Sequence, residues 1–264
     1  SATGIAPSSP RFIAERYKRR LRRSDFLQIL VYFSLAIVMA LFFADRGMAY
    51  FTNPSKIATG LGIVAGLIGS DLLLIMLILA ARIPAIDRTF GHDKALALHR
   101  QLGKPVFYLI VAHMGLLLVG YGIQEGINPI AEIFTMIANG QDILLSYAGL
   151  LLMAIVIVTS LVIVRKKLPY EFWFVVHLLS YASVLLALPH QFTNGRLFAE
   201  GTWARPYWMA LYIGTFAAIV RAADASGSVP ISSMTMTCGM WFSTASIITA
   251  CCSSGVGTCM RRAR

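Results

Sequence analysis

The sequence predicts an all-α, polytopic integral membrane protein: a six-transmembrane-helix bundle. Three observations carry this. Of 264 residues, 57% are hydrophobic and 13% charged, against roughly 25% charged in ordinary soluble domains. The mean hydropathy is +0.70. The apolar residues fall into six runs, at about 26–44, 58–81, 105–123, 143–164, 171–190 and 206–220, each near the ~20 residues needed to cross a bilayer core. Lys and Arg collect between the runs, which is how topology is encoded in a membrane chain.

Residues 1–24 form a basic segment that lacks the layout of a cleavable signal peptide. It holds Arg11, Arg16, Lys18, Arg19, Arg20, Arg22 and Arg23. Arg82, Arg88, Lys94, Arg100 and Lys104 follow span two, and Arg165, Lys166 and Lys167 follow span four. The opposite side carries only Arg46, Lys56, Arg196 and Arg205. The positive-inside rule then puts both termini in the cytoplasm, most simply at the plasma membrane. The net charge of +11 is thus a topology signal touching anionic lipid. No nucleic-acid-binding motif accompanies it.

Span two contains Gly60, Gly62, Gly66 and Gly69. Gly62 and Gly66 form a GxxxG, which allows close helix approach. Asp71 in the same span is a carboxylate at membrane depth, a functional candidate or a group hydrogen-bonded to a neighbouring helix. Span five is the most polar, with His177, Ser180, Tyr181, Ser183 and His190, and is expected to face other helices.

The histidines carry the chemical signal. His92 is expected in a solvated cytoplasmic loop. The remaining four form two pairs: His99 and His113 in span three, His177 and His190 in span five. Both spans run outward, and each pair is separated by about 20 Å along its helix. His99 and His177 share an inner level; His113 and His190 share an outer one. One histidine from each of two helices at each level is the arrangement of two bis-histidine haems stacked across a membrane. His99 and His113 share a helix face. His177 and His190 are well apart on an ideal helix, and Pro189 offers a kink that would turn His190 back. Phe107, Trp173 and Phe174 lie near this path, most simply as packing residues.

The stretches "ARIPAIDRTFGHDKALALHRQLGKPVFYLIVAHMG" and "YEFWFVVHLLSYASVLLALPHQFTNG" resemble the ferric reductase-like transmembrane domain, shared by ferric reductases and NADPH oxidases. The resemblance covers roughly 25–220. It implies that His99 with His177, and His113 with His190, ligate two b-type haems. It also implies that electrons from cytosolic NAD(P)H and FAD cross to an extracytoplasmic acceptor, ferric iron or dioxygen. Arg82, Arg100 and Arg196 are candidates to neutralise haem propionates. In the family, FAD- and nicotinamide-binding domains follow the sixth helix. Here 221–264 is an atypical tail with no dinucleotide-binding pattern, read as truncated or frame-shifted. The implied donor is a missing domain or a separate cytosolic flavoprotein. Whether the chain is itself an oxidoreductase therefore stays open. The alternatives are a haem-binding membrane subunit that passes electrons to a partner, as some bacterial relatives are, and a metal-ion or proton transporter using Asp71. All four cysteines, Cys238, Cys251, Cys252 and Cys259, fall in the tail with spacings that match no zinc pattern.

Overall fold

The computed structural model describes residues 10–225 apart from 141, 162, 163, 165 and 200, with the backbone alone for 10–17, 19–24, 26, 27, 89, 90, 196 and 225. The four cysteines and the tail beyond 225 lie outside the described residues, as do the first nine. Among the described residues every regular element is helical: α1 Pro10–Ala44, α2 Ala49–Thr52, α3 Ile57–Ala80, α4 Pro84–Phe90, α5 His92–Glu125, α6 Pro129–Asn139, α7 Ile143–Ser160, α8 Tyr170–Asn194 and α9 Ala204–Ala225. Short 3-10 turns occupy Pro54–Lys56 and Arg196–Phe198. Helices are the expected solution, because each satisfies its own backbone hydrogen bonds in a solvent that offers none.

Four helical segments are long and apolar enough to span: Pro54–Ala80, His92–Glu125, Ile143–Ser160 and Tyr170–Asn194. They correspond to predicted spans two to five. The other two predicted spans do not reach that standard. The apolar part of α1 is the shorter Gln28–Ala44, and α9 mixes apolar residues with Arg205, Arg221 and Asp224.

The central helix is α3, half of whose apolar window is buried. Its glycines let α5 run antiparallel along it: a Cβ on Gly69 would already touch Leu109, and one on Gly62 would crowd Leu116 and Leu117. Helix α8 pairs with α7 in the same way, where Ser183 Oγ donates to the Gly149 carbonyl at 2.6 Å. The polar residue of span five thus faces a helix, as expected. Helix α1 offers Val38 and Phe42 to the core, with Ser34 one turn before, while Ile29, Tyr32 and Phe33 face outward. Helix α9 buries Ala204, Trp208, Tyr212 and Thr215 on one stripe and exposes Ile213. Apolar side chains outside and small or polar ones between helices are the membrane pattern.

Two boundaries differ from the sequence reading. Helix α5 begins at His92, well before the predicted start at 105, because Gly91 at φ +83° turns the chain directly from α4 into it. His92 is therefore the first residue of a helix, half-buried, with Nδ1 3.4 Å from Asp87 Oδ1, and not a solvated loop residue. The second difference is α6, an amphipathic helix lying between the third and fourth predicted spans. The Asn128 side chain accepts from the Ile130 N–H at 2.8 Å, and Pro129 takes the first helical position. Ile130 and Phe134 are exposed, whereas Glu132 is buried.

Candidate functional site

The rings of His99 on α5 and His177 on α8 lie with centroids 6.0 Å apart at 68° to one another. The sequence-predicted inner pair is thus brought together across two helices. His99 Nδ1 stands 3.0 Å from the Met76 carbonyl of α3. A carbonyl only accepts, so Nδ1 carries the hydrogen and the lone pair is on Nε2. His177 Nδ1 is 3.1 Å from Ser160 Oγ. That hydroxyl donates to the Val156 carbonyl at 2.6 Å, so its oxygen accepts from His177, with the same tautomeric result. The Trp173 indole stacks on His177, 5.0 Å away at 25°.

At the outer level, His113 Nδ1 meets the Gly62 carbonyl at 2.8 Å. Fourteen residues separate Gly62 from Met76, and fourteen separate His99 from His113. One antiparallel register between α3 and α5 therefore supplies both imidazoles with main-chain acceptors. Gly66 completes the seat. A Cβ there would collide with His113 Nδ1 and stand 2.7 Å from its Cε1. The GxxxG thus serves a contact within one chain, and its second glycine is shaped to an imidazole.

His190 shares with His113 the walls of two adjoining, partly open pockets. Leu73, Ile110, Leu117, Met136, Ile143 and Ala187 line both. Helix α8 passes through Pro189 and continues to Asn194 without ending. His177 and His190 stand about 140° apart on an ideal helix, yet each reaches its partner's level. His190 Nδ1 is buried with no hydrogen bond of ordinary geometry, only a weaker approach to the Ala187 carbonyl. The larger cavity also has polar walls, from Asp45, Tyr50, Ser70, Tyr121, Gln191, Asn194 and Trp208.

Among the described residues, no group of three or more His, Cys, Asp or Glu converges as a metal site. The two histidine pairs are suited to a different group. The rings of His99 and His177, 6.0 Å apart between centres, come from two helices and would hold one group between them. Nδ1–H tied to an acceptor and Nε2 bearing the lone pair is the usual state of a ligating histidine. The mostly apolar pocket beside His113 and His190 suits a flat, largely apolar group, with Gly66 seating the His113 ring at its edge.

Other sequence candidates fall elsewhere. Asp71 is 1% exposed. Ser34 Oγ donates to its Oδ1 at 2.8 Å and lies 3.2 Å from the Tyr207 hydroxyl, tying α1, α3 and α9 together. Arg82 ends the turn after α3 at φ +50°, and Arg100 is exposed on α5. Arg196 opens the turn after α8, with its side chain outside the described residues. Phe107 packs against the core and Phe174 stacks on Tyr170. Sequence reasoning missed Ser160, Gly66 as a seat, and the carbonyls of Met76 and Gly62. Only Gly66 had a signal, through the GxxxG.

Residues 65–188, a little under half of the chain, match the family of ferric reductase like transmembrane components. The matched stretch takes in His99, His113 and His177 and stops two residues before His190. Neither the curated proteins nor the solved structures give a match.

Proposed function

From the premise that residues 65–188 are a ferric reductase like transmembrane component, we propose that this chain carries electrons across a membrane through two b-type haems. His99 and His177 hold the inner one, His113 and His190 the outer. The observation that carries this reading is the pairing of imidazoles from α5 and α8 at two levels, with Nδ1–H of His99, His113 and His177 each directed at an acceptor.

The haem, when bound, would supply one-electron chemistry, and the paired imidazoles would hold it. The chain's own residues do the rest. The Met76 and Gly62 carbonyls and Ser160 Oγ fix the tautomers and orient the rings. Leu73, Ile110, Leu117, Met136, Ile143 and Ala187 keep the outer level dry. Electrons enter from a cytosolic flavin or NAD(P)H source, in a further domain or a separate flavoprotein. They leave to an extracytoplasmic acceptor, ferric iron or dioxygen. The basic loops support cytoplasmic termini and a plasma-membrane location. On this reading α1 and α9 complete a six-helix bundle around the four long spans.

The test is spectroscopic. The chain is purified in detergent, its oxidised and dithionite-reduced absorbance recorded, and haem quantified. A b-type spectrum at about two haems per chain is expected. A well-folded preparation without haem would overturn the reading and favour ion transport through Asp71.

A further inference from the structure

Helix α6 is built inside out. Its single charged residue, Glu132, is 2% exposed, whereas Ile130 and Phe134 are 68% and 69% exposed. Ala131 and Ala138 are exposed too, and positions 130, 134 and 138 recur at helical spacing on one side. A helix at a water-facing surface turns its charges out and its apolar stripe in; α6 does the reverse. Nor does it stand clear of the bundle. Gly126 at φ +73° turns the chain after α5, and the Ile127 N–H donates back to the Gly122 carbonyl at 2.9 Å. A Cβ on Gly122 would stand 2.9 Å from the Ile127 carbonyl oxygen and 3.5 Å from the Pro129 nitrogen. The Glu132 carboxyl acts electrostatically on Tyr121 of α5 and Tyr147 of α7. Each tyrosine lies four residues inside the near end of its helix, about 6 Å along the axis. Helix α6 is thus folded back beside the end turns of two spans.

We propose that α6 lies in the leaflet that holds the His113 and His190 level, with its Ile130–Phe134 face immersed in membrane lipid. The surroundings identify the occupant. Ile123 and Ile127 on the α5 side, and Leu144 and Leu145 on the α7 side, are all exposed, so the face continues the lipid-facing surface of two spanning helices. None of the exposed side chains at 130, 131, 134 and 138 is polar, whereas a protein interface carries a polar rim. A helix lying at a membrane surface buries its apolar face about 5–10 Å into the headgroup–acyl boundary. Met136, two positions beyond Phe134 and on the opposite side of the helix, lines both pockets beside His113 and His190. Helix α6 is therefore a partition, with lipid against one face and the histidine pocket against the other. The inference stands apart from the haem-binding reading, because it does not depend on what occupies that pocket.

Nitroxide accessibility tests this. Ile130→Cys and Phe134→Cys are made singly in the full chain carrying Cys238→Ser, Cys251→Ser, Cys252→Ser and Cys259→Ser, spin-labelled, and placed in phosphatidylcholine vesicles. Power saturation compares collisions with oxygen, which collects in lipid, and with a water-soluble nickel chelate, each against a nitrogen baseline. Labels at 130 and 134 are expected to meet oxygen more often than nickel. Exposed Lys56 supplies the control: a label at Lys56→Cys should meet nickel more often. Nickel preferred at 130 and 134 would overturn the proposal by placing the face in water. Protection from both reagents would overturn it in favour of a protein cover, and dipolar broadening would then identify a second copy of the chain. Should the cysteine-free background fail to fold, the unaltered chain in the same vesicles is photolabelled with a lipid-partitioning aryl diazirine and mapped by peptide mass. Adducts on Ile130 and Phe134 are the expected result; labelled Leu144 with no adduct anywhere in α6 would overturn it.

Discussion

Gly66 and His113 fit together by exclusion: the glycine lacks the one atom that would collide with the imidazole. Gly66→Ala is expected to displace His113 and leave about one haem per chain instead of two, with the helical circular dichroism retained. Gly115→Ala is the control. Nothing lies within 4 Å of a Cβ there, and alanine favours a helix over glycine by about 1 kcal/mol, so haem content should not change.

The two levels are expected to be separable. His99→Ala or His177→Ala should remove the inner haem, and His113→Ala or His190→Ala the outer, each halving the haem per chain. Redox titration of the variants should show one midpoint where the parent shows two. Unchanged haem content in a His99→Ala, His113→Ala double variant would refute the ligand assignment.

Ser160→Ala removes the oxygen that accepts from His177 Nδ1. Loss of such an outer partner typically weakens metal binding about 10–100-fold. The variant should lose its inner haem sooner on dilution or mild heating, read as the decay of the reduced b-type band, while Ser180→Ala should not.

Asp71 is expected to act through hydrogen bonds more than through charge. Asp71→Asn keeps an acceptor for Ser34 Oγ. Asp71→Leu leaves Ser34 Oγ only its longer 3.2 Å contact with the Tyr207 hydroxyl and should destabilise the protein by about 0.5–1.5 kcal/mol, with a lower midpoint of thermal unfolding in detergent. A transporter would lose function in both variants, so ion flux in liposomes separates the readings.

Glu132 on α6 gives a pH dependence of known sign. Burial first, and then the like charge of Glu125, push its carboxyl above the usual glutamate range. The folded state then keeps a proton that the unfolded state releases, so stability falls as pH rises from the ordinary carboxylate range to the folded value, and is level above it. Glu132→Gln should flatten that slope. Unfolding midpoints of the two proteins in detergent between about pH 5 and 8 check this; parallel curves would refute it.

The four long spans were legible because hydropathy over about 20 residues is a property of the sequence itself. The histidines stood out as two pairs because spacings of fourteen and thirteen residues put one of each pair at each of two depths. Helix α6 went unread although Asn128 and Pro129 announce a helix start and its apolar residues recur on one side; it was too short to register among the spans. The hydrogen bonds of His99 and His113 could not be read at all. Every residue carries a carbonyl, and only the α3–α5 register selects Met76 and Gly62. His190 was harder still, since angular spacing on an ideal helix argued against it and its place follows from how α8 lies in the bundle.

The acceptors of the four imidazoles differ in how exposed they are to sequence change. On α5, both rings are anchored to peptide groups, which no coding change on α3 can delete; substitutions there act only by bulk. On α8, His177 depends on a hydroxyl that a single nucleotide change can remove, and His190 has no firm acceptor. Inheritance therefore has a fixed half and an adjustable half to work with. Drift in redox tuning among descendants of this chain should accumulate around α8 and its neighbour α7, while α5 stays a constant reference.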